Sequence, residues 1–196
     1  MIPINIRSAF AIAACVIVSM FTGCNEDDPA APPVVNEHPP ATTITIRLTR
    51  LDAGGNPTTD TSSATIRDTT VVKNKPSAVG ELAIEAGSTY AAAVTLLDES
   101  KAAAVDVTDD VIAEKDGHLF LYTPTDGLDV SRIVIAGKDK DSKGQDVGLT
   151  FTIRATSGPA ATGKLNVVLR HYDSNNKNDS VFDTDIDVEF RLVIRD

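Results

Sequence analysis

Cysteine is scarce: the chain of 196 residues has two, Cys15 and Cys24. At most one disulfide can form, and none if the chain is cut between them. Positive charge is short as well, with 18 Lys and Arg against 28 Asp and Glu and a net charge of −10. Such a chain lacks the basic surface that phosphate backbones require, so nucleic acid is not an expected partner, whereas cation binding stays open. The apolar, uncharged stretch Ser8–Phe21 falls short of the ~20 residues a membrane-spanning helix needs. There is no G-x-S-x-G elbow, no H-E-x-x-H pair and no phosphate loop, and no spacing of Ser, His and Asp picks out a triad. The expectation is a protein without enzymatic activity. No repeat of fixed period is visible, which sets aside propellers and solenoids.

What is present at the start is an export signal. Arg7 supplies a positive n-region and Ser8–Phe21 an apolar h-region. The residues Phe21-Thr22-Gly23-Cys24 resemble the lipobox of bacterial lipoproteins, with small residues before the cysteine and Phe21 where leucine is usual. That resemblance implies cleavage before Cys24 and attachment of lipid to it, each buried CH₂ contributing ~0.8 kcal/mol to membrane anchoring. The division is then a signal peptide over 1–23, a lipidated cysteine and tether over 24–41, and a folded domain over 42–196. Cleavage removes Arg7 and Cys15, leaving 17 basic against 28 acidic residues, a net charge of −11. With lipid on the remaining sulfur, thiol catalysis and cysteine-ligated zinc are excluded. The tether holds five prolines (Pro29, Pro32, Pro33, Pro39 and Pro40) and His38. Such a stretch leans toward polyproline II and, at ~3.1 Å per residue, reaches roughly 50 Å from the bilayer. Cys24-Asn25-Glu26-Asp27-Asp28 resembles the acidic export signal of surface lipoproteins of the Bacteroidetes. It implies the outer membrane, on its cell-surface face; the periplasmic face is the alternative.

From Ala41 the pattern changes to period two. Thr43–Thr49 alternates polar and apolar side chains as a half-buried strand does. Further strands are read over 64–68, 81–85, 89–97, 118–122, 132–136, 148–154, 164–171 and 184–194, with Tyr90, Ala92, Val94 and Leu96 on one face. Asp52–Pro57 and Asp139–Gly144 are turns, and Thr123-Pro124 stops a strand. Asp106–Lys115, acidic early and basic late, predicts one short helix capped by Asp106 or Thr108. About eight or nine strands with polar outer faces predict two packed antiparallel sheets, an all-β sandwich of immunoglobulin-like or Greek-key type.

Val94–Ser100, Glu114 with His118–Tyr122, Gly148-Leu149-Thr150, Leu169-Arg170-His171 and Thr184–Phe190 together resemble a family of small Bacteroidetes lipoproteins often catalogued as "type 1 periplasmic binding fold superfamily". The resemblance covers roughly residues 42–196. It implies a noncatalytic binding or interaction module, accessory to a TonB-dependent outer-membrane receptor. The catalogue name implies two α/β lobes, whereas these residues show no βαβ alternation, so the fold expectation stays all-β.

His118 and His171 are the only histidines of the folded part. With Glu114 four residues before the first and Asp173 two after the second, they are candidate ligands for zinc or copper, since imidazole suits both metals. Nothing in the spacing brings them together, and the expectation is two separate, structural histidines with no metal. Asp139 and Asp141 open a D-x-D-x-x-G pattern like that of a calcium loop, but its twelfth position is Thr150 rather than a bidentate acid. A turn is the better reading. Asp183, Asp185 and Asp187 alternate with Ile186 and Val188, so Asp185 and Asp187 are expected to share the solvated face of an edge strand.

The anchor is directly testable: Cys24→Ala is expected to abolish incorporation of labelled fatty acid and block processing. Equal labelling of variant and wild type would contradict the lipobox reading.

Overall fold

The computed structural model describes residues 40–67, 78–100 and 102–196. The expected export signal, Cys24, most of the expected tether with His38, and Asp68 at the end of the second expected strand lie outside these residues. The first of two sheets runs β3 (Val79–Gly80), β2 (Pro57–Arg67), β1 (Thr43–Leu51), β5 (Thr89–Asp98), β9 (Thr150–Ala155), β8 (Ile133–Ala136), with β6 (Val105–Asp106) beside β5. The second runs β4 (Leu82–Glu85), β11 (Asp183–Arg195), β10 (Ala161–His171), β7 (His118–Thr125). The protein is an all-β sandwich.

Period-two patterning builds it. Ile44, Ile46 and Leu48 of β1 point inward, as do Tyr90, Ala92, Val94 and Leu96 of β5, the face expected of that strand. From the other sheet come Leu165, Val167 and Leu169 of β10 and Ile186, Val188, Phe190, Leu192 and Ile194 of β11. These side chains form one continuous core, each large one contributing about 1.5–3 kcal/mol by leaving water.

Three details depart from the sequence expectation. All strand pairings are antiparallel except that of β4 with β11, which is parallel over Leu82–Glu85 and Leu192–Arg195. Strand β7 continues through Pro124 to Thr125. A proline is compatible with an edge strand, where one side of the backbone needs no ladder donor, and β7 is the last strand of its sheet. The α-helix α1 (Thr108–Ala113) sits where it is expected, but its N-cap position is Val107, which makes no side-chain cap hydrogen bond. Thr108 spends its hydroxyl on the Leu96 N–H (2.8 Å), and Asp106 accepts the Thr108 N–H (2.9 Å).

The open edge of β7 is covered by the segment joining β8 to β9. The Phe120 N–H donates to the Val147 carbonyl (2.7 Å), and the Lys138 ammonium donates to the Phe120 carbonyl (3.0 Å). The approach is close enough to need glycine. Gly148 has φ +94°, and a Cβ there would stand 3.0 Å from that of Phe120. Covering an edge in this way removes a template for strand addition.

The same segment is fixed by a buried ion pair. Lys177 Nζ lies 3.0 Å from Asp141 Oδ2, with side chains 3 % and 0 % exposed. It also donates to the Asp146 carbonyl at 2.7 Å. Burial alone would raise the Asp141 carboxyl, but Lys177 and the N–H groups of Gln145 and Lys143 outweigh it, and the group is held below its usual 3.8. Because the folded-state value is lowered, the stabilisation is present at neutral pH and is lost as pH falls through and below that usual value. Lys177→Met leaves an uncompensated buried carboxylate and is expected to cost about 3–5 kcal/mol, read as a lower midpoint in denaturant unfolding at pH 7. The deficit relative to wild type should shrink in acid.

Candidate functional site

The register of β7 against β10 places His171 directly opposite His118. Directly paired residues of an antiparallel ladder project to the same face, and the two rings stack, with centroids 4.7 Å apart and planes 11° from parallel. The next core-facing pair along the ladder is Phe120 opposite Leu169, so the histidines continue the core face to its end. His118 is buried, 3 % exposed, and His171 is partly buried. The expectation that the two histidines lie apart is therefore overturned. Their sequence separation hid a strand register that no local pattern reports.

A third group joins them through an irregularity in β11. Leu169 pairs with Ile186 but Arg170 pairs with Thr184, so Asp185 is an extra residue on its strand, a β-bulge. Bulges re-aim side chains. Asp185 offers a carboxylate oxygen that lies, with one nitrogen of each histidine, in a cluster whose atoms are all within 4.8 Å of one another. Asp187, which strict alternation would place beside it, instead accepts a hydrogen bond from Asn166 Nδ2 at 2.8 Å. The expectation that Asp185 and Asp187 share a face fails at the bulge. The edge reading holds locally: β4 pairs with β11 only over Leu192–Arg195, so among the described residues no strand pairs with Asp183–Asp187 on the side away from β10.

The surroundings orient the rings. His118 Nδ1 lies 3.0 Å from the Glu114 carbonyl oxygen. A carbonyl only accepts, so Nδ1 carries the hydrogen and the lone pair of the neutral ring is on Nε2. His171 Nδ1 lies 3.6 Å from Asp173 Oδ1. Backbone carbonyls and carboxylates are the usual outer partners of metal-bound histidine. Glu114 and Asp173, named as candidate ligands, fall outside the cluster and lie beside the Nδ1 atoms of the histidines. Glu114 does so with its backbone, its side chain being on an exposed residue. For zinc, with N–metal distances of ~2.0–2.1 Å, the ligand atoms must draw in to about 3.4 Å from one another and the rings must tilt so that their lone pairs converge.

Asp139 and Asp141 behave as turn residues. Asp139 Oδ1 accepts the N–H groups of Gly148 (3.0 Å) and Thr150 (2.8 Å), and Asp141 Oδ1 those of Lys143 (2.9 Å) and Gln145 (2.8 Å). A separate open groove is lined mainly by polar residues, among them Arg50, Asp52, Thr58, Asp60 and Thr89, with Leu51 and Ala53 beside them. Arg50 there is already paired with Glu85 at 2.6 Å. The groove lacks the predominantly apolar lining that typifies small-molecule sites. No described helix is long and apolar enough to cross a membrane. No protein-family model, curated protein or solved structure matches the chain.

The site leaves little room at Gly117. A Cβ there would meet Asn175 Oδ1 at 2.9 Å, the Tyr172 carbonyl at 3.1 Å and His171 Cδ2 at 3.5 Å. The Gly117 carbonyl also accepts the Tyr172 N–H at 2.8 Å. Gly117→Ala is expected to push the His171–Tyr172 segment outward and cost about 1–3 kcal/mol, measured by denaturant unfolding.

Proposed function

We propose that this protein is a noncatalytic, membrane-anchored lipoprotein that binds a divalent transition metal, zinc or copper(II), through His118, His171 and Asp185. The observation that carries the reading is the cluster itself: two imidazoles and one carboxylate, far apart in sequence, meet at the end of the core face. Two neutral nitrogens and a carboxylate oxygen suit zinc and copper(II). Residues 25–196 contain neither cysteine nor methionine, so the soft donors that favour copper(I) are missing. The anchor rests on the residues Phe21–Cys24, and the outer membrane on the acidic run Asn25–Asp28. Under this reading a metal site on a tether of roughly 50 Å places bound cation close to a membrane receptor. A role as accessory to a TonB-dependent transporter, implied by the family resemblance, is compatible with it.

Zinc binds the folded state and should stabilise it by mass action, by about 2.7 kcal/mol at a hundred times the dissociation constant, or roughly 5–10 °C for a domain of this size. His171→Ala should remove the shift while leaving a cooperative unfolding transition. An unchanged melting temperature in wild type across the zinc titration would contradict the metal reading.

A further inference from the structure

Three loops meet beside the histidines, and one of them grips the other two. The turn Asp139–Asp146 belongs to the connection between β8 and β9, in the sheet opposite the histidines. On one side it holds the residues just before His118. The Ser142 N–H and hydroxyl donate to the two carboxylate oxygens of Asp116, at 2.9 and 2.5 Å. On the other side it holds the loop just after His171. The Lys143 ammonium donates to the Asn175 carbonyl, and Lys177 Nζ reaches inward to Asp141 Oδ2 at 3.0 Å and to the Asp146 carbonyl at 2.7 Å. The Ser142 and Lys143 links are solvent-exposed, whereas the Lys177–Asp141 pair is buried. Exposed pairs are weak and salt-screened; a buried pair cannot be opened without stranding a charge. The buried pair is therefore the member of the set that keeps the turn closed on both segments.

We propose that Lys177 is a positioning residue for the metal site. It serves as the built-in cation of the Asp139–Asp146 turn and, through that turn, holds the segments bearing His118 and His171 at ligand distance. Within that turn Asp141 is the carboxylate that Lys177 neutralises, at 3.0 Å. The inference rests on the metal reading above. Lys177 touches neither histidine in any contact described, so its influence passes through Asp141 to Ser142 and Asp116 on one side and along its own loop to Asp173 on the other. Groups that orient metal ligands from behind typically change metal affinity by 10–100-fold when removed.

Zinc affinity of the full chain should be measured by competition with a chromogenic chelator, at a temperature where circular dichroism shows each protein folded. Lys177→Met is expected to weaken zinc binding at least tenfold, whereas a role confined to stability would lower the melting temperature and leave the dissociation constant unchanged. Should Lys177→Met not fold, wild type decides through linkage, because coupling between two sites is reciprocal. Zinc should then slow amide exchange at Lys143 and Gln145, whose N–H groups bind Asp141, at least tenfold. Unchanged affinity in the folded variant, or unchanged exchange in wild type, overturns the role of Lys177 alone. A wild-type chain that takes up no zinc overturns both this role and the metal reading.

Discussion

Everything at the site depends on the register of β10. That strand is paired with β11 over its whole length on one side and with β7 from Lys164 to His171 on the other. A slip of one residue against either neighbour would turn Leu165, Val167 and Leu169 out of the core. The hydrophobic effect thus fixes the register, and the register fixes the site. The ladder that sets Phe120 opposite Leu169 sets His118 opposite His171 two residues further on. The bulge between Leu169 and Arg170 does the rest. It keeps Ile186 in the core while shifting Asp185 by one position toward the histidines.

Stability and site construction therefore draw on the same contacts. At the end of the sandwich the core face changes from apolar to polar, with Leu169 giving way to His171 and Phe120 to His118. Burying imidazoles at the end of a core costs free energy unless they are hydrogen-bonded. The Glu114 carbonyl provides this for His118, and Asp173 stands near His171. The connection from β8 to β9 covers the bare edge of β7 and closes over the loops next to both histidines. One segment of chain thus answers both the edge problem of an antiparallel sheet and the need to hold two histidine-bearing strand ends.

The sandwich was legible in the sequence because period two reports burial directly. The inward faces of β1 and β5, and most of β10 and β11, follow from alternation alone. Five features were not legible, each for a physical reason. Strand β7 was cut short at Thr123-Pro124 because a proline reads as a stop until the strand is known to be an edge. The parallel pairing of β4 is a long-range choice with no local signature. The convergence of His118 and His171 is set by pairing between strands 53 positions apart, as their numbers show, and periodicity within a strand does not reveal which strands pair. Alternation places Asp185 on the same face as Asp187, but alternation fails at a bulge, and a bulge leaves no mark in composition. Lys177 gave no signal at all, since a lysine in a polar loop is ordinarily solvated.

The central claim is that two histidines and Asp185 form a metal site. X-ray absorption at the zinc edge of the zinc-loaded full chain tests it most directly. The account predicts a first shell of nitrogen and oxygen at about 2.0–2.1 Å, with the outer-shell scattering of two imidazole rings that falls to one ring in His118→Ala. A shell of oxygen alone, or imidazole scattering unchanged in that variant, would contradict it.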